Sequence, residues 1–143
     1  MSQPFTVTRP MTVDGTLTSN ANVNFQSTFY STYRRKDVDS VTYTATEADE
    51  LLGVTINANC TITFPDINGL SNPTWQKCYT VVDERGNASA RPITIAAGGN
   101  DAILGTTSVV LNTDWASMRF YSVPNASGAN TAGAWYCAAV VPS

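Results

Sequence analysis

The chain has 143 residues, which suits one small domain with or without an arm, and only 13% of its residues are charged. Eight Lys and Arg residues against eleven Asp and Glu give a net charge of -3, which argues against nucleic acid as a partner. The sequence contains no His, which excludes the common serine and cysteine catalytic triads and His-ligated metal sites in their usual forms.

The low charge leaves Thr, Ser and Asn as the main polar residues, and such a surface suits a chain that packs against other chains. Cys60, Cys78 and Cys137 follow no zinc or redox spacing, so we expect free, buried thiols. The first residues show neither the basic start nor the apolar run of a secretory signal, and no stretch is apolar over the length of a membrane span. We therefore expect synthesis in a cytoplasm and no membrane partner.

Residues 1–40 differ from the rest of the chain and are predicted to form an extended N-terminal arm. Apolar side chains alternate there with Thr, Asn and Asp in short runs, a pattern typical of half-buried strands. Each run holds only two or three apolar side chains, too few for a core, so contacts with other chains are expected to order the arm. The residues predicted to anchor the arm or to join subunits are Phe5, Val7, Met11, Val13, Leu17, Val23, Phe25, Phe29, Tyr33, Arg34 and Arg35.

The end of the arm, residues 29–36, combines aromatic and basic side chains. Two interpretations stay open for it: a joint in which the aromatic rings pack, or a docking patch for the acidic surface of a partner. Its three consecutive cations, Arg34, Arg35 and Lys36, are interpreted as a solvated or interface turn rather than as a nucleic-acid patch.

Residues 41–143 are predicted to form a β-rich knob that begins with an alternating strand over residues 41–45. Thr46 followed by Asp49 resembles a helix start, and Gly53 resembles a stop, so the sequence predicts one helical turn or a tight arch between strands. Carboxylates in a first helical turn are expected from the helix dipole alone. We therefore assign no catalytic or metal-binding role to the one carboxylate cluster, Glu47, Asp49 and Glu50.

The strand pattern continues with two alternating segments within residues 54–65, followed by a loop that leads to Trp75. Over residues 77–123, short β-branched and aromatic runs alternate with turns, one of which lets Gly86 and Asn87 adopt positive φ. A loop over residues 124–134 precedes the last strand. The final run, residues 135–141, is almost wholly apolar and is predicted to lie centrally in a sheet or at a subunit interface.

These patterns predict an all-β protein: a compact antiparallel β-sandwich or jelly-roll-like domain with an extended N-terminal arm, assembled with partner chains. Strands with little apolar mass, a polar uncharged surface and an apolar terminal strand all favour association with partner chains. No residue is assigned a catalytic, cofactor-binding or metal-binding role, and the protein is predicted not to be an enzyme.

The segments Tyr79-Thr-Val-Val-Asp-Glu-Arg-Gly-Asn-Ala, Arg91-Pro-Ile-Thr-Ile, Ser117-Met-Arg-Phe-Tyr-Ser and the closing Trp135-Tyr resemble a small β domain of tailed-bacteriophage virion proteins. This domain recurs in tail fibres and in head fibre or decoration proteins, and the resemblance covers roughly residues 41–141. It implies homotrimers. It carries no catalytic residues that could be transferred to this chain.

The resemblance implies a virion structural protein, and the expected function is that of a homotrimeric capsid decoration (cement) protein. Such a protein would be made in the host cytoplasm, bind the major capsid protein or another virion protein on the outer surface of the particle, and stabilise the head. The alternative is a short tail or head fibre subunit involved in host attachment, in which Trp75, Trp115 and Trp135 would stack on sugars. The residues predicted for an exposed recognition loop are Asn125, Asn130 and Trp135.

Overall fold

The computed structural model describes residues 34–72, 76–124 and 132–141, all within one unit of the chain, Thr32–Ser143. These residues contain one short 3-10 turn, Ile67–Gly69, and no α-helix. They form ten strands: β1 (Arg35–Val38), β2 (Thr42–Thr44), β3 (Leu51–Val54), β4 (Cys60–Thr63), β5 (Cys78–Asp83), β6 (Ile93–Ala96), β7 (Ala102–Ile103), β8 (Ser108–Leu111), β9 (Ser117–Val123) and β10 (Ala134–Val141). The prediction of an all-β protein is confirmed.

The period-2 pattern of the sequence explains these strands. In β5, Tyr79, Val81 and Asp83 are buried while the residues between them are half-buried, because successive side chains of a strand point to opposite faces of its sheet. β4 and β6 show the same alternation, with Ile62 and Ile95 fully buried. These three strands therefore present a buried row of side chains to the core and a less buried row to the outside.

The strands belong to two sheets, and the chain alternates between them. The first sheet has six strands in the order β1-β3-β5-β9-β10-β7, and the second has four in the order β2-β4-β6-β8. β1, β3 and β5 run parallel, as do β2, β4 and β6. The chain thus forms three successive coils, each with one strand in each sheet: β1 with β2, β3 with β4, and β5 with β6. These coils stack in parallel, as in a β-solenoid.

After the third coil the direction reverses. β8 pairs antiparallel with β6, and β9 pairs antiparallel with β5 and β10. The prediction of an antiparallel domain is correct for these three pairs and wrong for the other five described pairs, which are parallel. For the four parallel pairs among β1–β6, the reason is that each strand of a coil leads into the other sheet, so its partner lies a whole coil away rather than across a hairpin.

Strand β1 lies within the range predicted for the arm. It pairs with β3 from Arg35 opposite Leu51 to Val38 opposite Val54, so residues 35–38 belong to the folded unit. The three consecutive cations are not a turn, because Arg35 and Lys36 lie in this edge strand. Residues 1–33, with most of the predicted arm, lie outside the described residues.

One buried cluster joins the two sheets. Phe64, which directly follows β4 in the second sheet, stacks on Tyr79 of β5 in the first, with ring centroids 4.8 Å apart. Phe120 and Trp135 complete the aromatic centre, with centroids 5.3 Å and 4.8 Å from that of Phe64. A fully buried Phe side chain contributes roughly 1.5–3 kcal/mol to folding. This aromatic group is therefore a major part of what holds the coils together.

None of the three cysteines forms a disulfide, as expected, but only Cys60 is buried; Cys78 and Cys137 are half-buried. Burial raises the pKa of the Cys60 thiol to about 11. Its Sγ lies 3.4 Å from the carbonyl oxygen of Ser40. The reactive thiolate of Cys60 is therefore scarce at neutral pH and shielded from reagents.

We expect Cys60 to resist labelling by a thiol reagent at pH 8 while the protein is folded, since both its raised pKa and its burial oppose reaction. Peptide mass spectrometry after a timed pulse of iodoacetamide measures labelling at each cysteine. The protein unfolded in urea is the control and should be labelled at all three positions. Equal labelling of Cys60 in both states would contradict the prediction.

Candidate functional site

Two loops meet at one end of the first sheet. β5 ends at Asp83 and β9 begins at Ser117, and these strands pair with Val82 opposite Ser117. The loop after β5, residues 84–92, therefore lies beside the loop before β9, residues 112–116. Together they are called the loop platform below.

The carboxylate of Asp83 holds the loop platform together. Asp83 is 1% exposed, and its Oδ1 accepts hydrogen bonds from the backbone N–H groups of Gly86 at 3.0 Å and Arg85 at 3.3 Å. Its Oδ2 accepts from the N–H groups of Ala88 at 2.9 Å and Trp115 at 3.2 Å. One buried carboxylate thus satisfies four backbone donors from both loops, which is the condition under which a charge is tolerated inside a protein.

A second contact supports this arrangement. The N–H of Ser89, in the loop after β5, donates to Oδ1 of Asp114, in the loop before β9, at 2.7 Å. The two loops are thus linked directly as well as through Asp83. The sequence predicted a turn after β5 but did not indicate the long-range role of Asp83. The Asp-x-x-Gly spacing at residues 83–86 is typical of a carboxylate that accepts N–H groups of its own turn, and this signal could have identified the residue.

Trp115 is the most exposed large apolar side chain at this end of the sheet, with 61% of its surface accessible. Its backbone is left-handed, with φ of 61°. A non-glycine residue in this region costs roughly 1–3 kcal/mol, and surrounding contacts must hold it there. The hydrogen bond from the Trp115 N–H to Asp83 is such a contact.

Gly86 provides the surface on which the indole ring rests. Its φ of 72° favours glycine, and a Cβ atom at this position would overlap the Trp115 ring. Gly86 is thus confirmed at positive φ, whereas Asn87, for which the same was predicted, is not among the described residues with positive φ. The absence of a side chain at Gly86 lets the ring lie directly on the turn.

Polar groups surround this turn. Nδ2 of Asn87 donates to Oδ1 of Asn57 at 2.7 Å, and Nη1 of Arg85 donates to the carbonyl oxygen of Thr55 at 3.4 Å. A depression of about 460 Å³, open to solvent, is lined by Thr55, Glu84 and Arg85. The loop platform therefore combines one exposed aromatic ring with amide and guanidinium groups.

The outer face of the second sheet is a different kind of surface. Its outward positions align across the strands in two rows, since Thr42 pairs with Thr61 and Thr61 with Thr94, while Thr44 pairs with Thr63. The threonine hydroxyls make no hydrogen bonds with described residues. We call this surface the threonine face, and its residues are Thr42, Thr44, Thr61, Thr63, Thr94, Ala96, Ser108 and Val110.

The threonine face carries no charged side chain in its described strands, in contrast to the outer face of the first sheet. There, Arg35 of β1 forms an ion pair with Asp37 at 2.6 Å and another with Glu84. These partners raise the pKa of Arg35, chiefly through the hydrogen bond to Glu84, and Arg35 in turn lowers the pKa of Asp37. The two sheets thus present one charged and one uncharged face.

The predicted anchoring residues divide between described and undescribed parts of the chain. Arg34 is exposed directly before β1, and its backbone N–H donates to Oε2 of Glu50 at 3.2 Å. Arg35 lies in β1 with the ion pairs above. The others, Phe5, Val7, Met11, Val13, Leu17, Val23, Phe25, Phe29 and Tyr33, lie outside the described residues, as do Trp75, Asn125 and Asn130.

The placement of Trp135 in an exposed recognition loop is wrong. Trp135 lies in β10, is 0% exposed, and packs against Phe64 and Tyr79 in the aromatic centre. Among the described residues, its Nε1 has no hydrogen-bond partner. Its apolar ring surface outweighs the polar N–H in deciding its position, because burial of a large aromatic ring is a major contribution to the core.

The loop that precedes Trp135 is fixed at its C-terminal end by a second buried carboxylate. Asp101 is 6% exposed and accepts hydrogen bonds from the N–H of Ile67 and of Gly133, both at 2.7 Å. A Cβ at Gly133 would come within 2.6 Å of Cδ1 of Ile67. The entry of the chain into β10 thus depends on Asp101, a role that its place in a glycine-rich turn did not indicate.

The carboxylate cluster of residues 47–50 lies in the segment between β2 and β3. This segment links β2 and β3 of different sheets, so the arch predicted as one alternative is present and the helical turn is not. Oδ2 of Asp49 accepts from the hydroxyl of Tyr43 at 2.8 Å and from the N–H of Thr46 at 2.8 Å. Burial, with this hydrogen bond, raises the pKa of Tyr43 to about 12.

The described residues contain no group of three or more His, Cys, Asp or Glu side chains that could hold a metal ion. In the same part of the chain, no helix is long and apolar enough to cross a membrane. No protein-family model matches the chain, and no curated protein matches its sequence.

Replacing Asp83 with Asn should lower the free energy of unfolding by about 2–4 kcal/mol, because the amide nitrogen cannot accept the N–H groups that one carboxylate oxygen now accepts. Urea unfolding followed by circular dichroism measures the change. The matched control is Asp39→Asn at an exposed position, for which a change within about 0.5 kcal/mol is expected. Equal stability of the two variants would contradict the role given to Asp83.

Proposed function

We propose that this chain is a structural protein of a tailed-bacteriophage particle. It acts as a homotrimeric capsid decoration protein that binds the outer surface of the head, through the major capsid protein or another virion protein, and stabilises it. The resemblance of residues 41–141 to virion β domains supports this proposal, as does the all-β fold with its three stacked coils.

The observation that carries the proposal is the uncharged threonine face. Protein interfaces are depleted of Lys, Glu and Asp at their cores, because desolvating a charge is costly, whereas hydroxyl and methyl groups are buried more easily. Neighbouring strands lie about 4.8 Å apart, so the aligned threonines form a regular surface that a second protein can cover. We assign the contact between subunits to this face.

The first coil supports a second contact. Among the described residues, β1 and β2 are edge strands of their sheets, so both present backbone N–H and C=O groups that no described strand pairs. An extended segment of another protein can add to such an edge through main-chain hydrogen bonds. Strand addition at the first coil would tie neighbouring capsid subunits together.

One observation favours a second function, a short tail or head fibre subunit that attaches the particle to its host. Trp115 is exposed and held on a strained backbone, and strain of this kind clusters at binding sites. Mass spectrometry of purified virions separates the two functions. A copy number comparable to that of the capsid protein supports decoration, and one far below it contradicts decoration.

Replacing Thr61 with Lys should dissociate the trimer, weakening association at least about tenfold, because the new cation would have to be desolvated at the contact. Light scattering over a range of concentrations, together with binding to purified bare capsids, measures the effect. Thr80→Lys is the matched control, since Thr80 is equally half-buried but lies in a central strand of the first sheet.

Three outcomes would count against this assignment. A wild-type protein that is monomeric at every concentration would contradict the trimer. Loss of association in the Thr80 variant alone would place the contact on the first sheet instead. Normal association of both variants would show that neither face forms it.

A further inference from the structure

We propose that Trp115, with the amide groups of Asn57 and Asn87, forms a binding site for one pyranose ring of a polysaccharide. This site is additional to the capsid function proposed above and does not depend on it. Its chemistry would serve the particle whether the chain decorates a head or belongs to a fibre.

The Trp115 ring is held in place before any ligand arrives. Its backbone N–H is bound to the buried carboxylate of Asp83, and the ring rests on Gly86, which has no side chain to push it away. A second hydrogen bond, from the N–H of Ser89 to Asp114, links the loop that carries Trp115 to the loop after β5. A preorganised aromatic group loses little conformational freedom on binding, which is the condition for useful affinity from a small contact.

The exposed ring fits a sugar better than it fits a protein interface. None of the other exposed large hydrophobic side chains of the described residues lies in the loop platform; they are Val41, Leu104, Val110, Val123 and Tyr136. A stable protein contact needs about 800 Å² from each partner, with an apolar centre. One indole face among polar groups instead matches the apolar C–H face of a single pyranose ring.

The neighbouring amides supply the polar half of the site. The hydrogen bond between Asn87 and Asn57 uses Nδ2 of the first and Oδ1 of the second. Nδ2 of Asn57 and Oδ1 of Asn87 are left for a ligand, one as a donor and one as an acceptor. Asn87 directly follows Gly86, on which the indole lies, so this amide pair is attached to the same turn as the ring. Hydroxyl groups at the edge of a pyranose require both.

The charge of Arg85 and the net charge of the chain indicate which ligands to compare. Arg85 is exposed, lines the depression of about 460 Å³ and carries a guanidinium group that pairs with carboxylates such as that of an acidic sugar. The chain as a whole has a net charge of -3, which disfavours nucleic acid as the source of a stacked ring. Polysaccharides with neutral and with acidic repeat units are therefore the two ligand groups to compare.

The test uses the full chain on an immobilised panel of purified bacterial lipopolysaccharides and capsular polysaccharides, with neutral and acidic repeats in separate arms. The strongest binder is then titrated by calorimetry. We expect Trp115→Ala to weaken binding at least about tenfold, since the stacking surface is lost, and Trp115→Phe and Asn57→Ala to weaken it less. Tyr136→Ala is the matched control, an exposed aromatic residue in β10, and should bind as the wild type does.

Thermal unfolding shows whether each variant is folded. If Trp115→Ala does not fold, Trp115→Phe and Asn57→Ala decide the result. Binding by none of the panel, or equal binding by wild type and the Trp115 and Asn57 variants, would overturn the proposal. A change of oligomeric state or of capsid binding in the Trp115 variants, with polysaccharide binding intact, would overturn it too, because Trp115 would then be a protein contact. Thr61→Lys addresses only the assembly surface, so failures of the two proposals are distinguishable.

Discussion

The structure depends on a single apolar core shared between two sheets. Each of the first three coils gives one strand to each sheet, and the inward side chains of both sheets belong to the same buried cluster. Neither sheet could bury its apolar row without the other, because a sheet with one apolar face is stable only when that face is covered. The contact of Phe64 with Tyr79 and Trp135 is where this mutual dependence is greatest, since three large rings meet there.

Local patterns in the sequence predicted the strands well but not their partners. Alternation within residues 41–45, 78–82 and 117–123 is a property of each segment, and β2, β5 and β9 lie there. Whether two strands pair in parallel depends on where the chain goes between them. The sequence shows turns of similar composition for a hairpin and for an arch between sheets, which is why the antiparallel prediction was wrong for the coils.

The same limit explains the tryptophans. Trp135 lies in an almost wholly apolar run without alternation, so the sequence could not indicate which of its side chains face the core. The exposure of Trp115 results from a partner 32 residues away in the chain, the carboxylate of Asp83. The hydrophobic pattern of the sequence does not indicate that a buried residue such as Asp83 binds the backbone of an exposed residue such as Trp115.

The loop platform and the threonine face are the two surfaces to which we assign recognition in the proposals above. The threonine face belongs to the second sheet, whereas Trp115 lies in the loop that joins β8 of that sheet to β9 of the first. The threonine face is built on the regular backbone of four strands, which suits a contact repeated at every subunit. The loop platform relies on a left-handed residue and a buried carboxylate, both of which cost stability and are held by hydrogen bonds between the two loops. Different contacts therefore stabilise the threonine face and the loop platform. Substitutions that change the ligand of the loop can thus leave intact the coils that assembly would use.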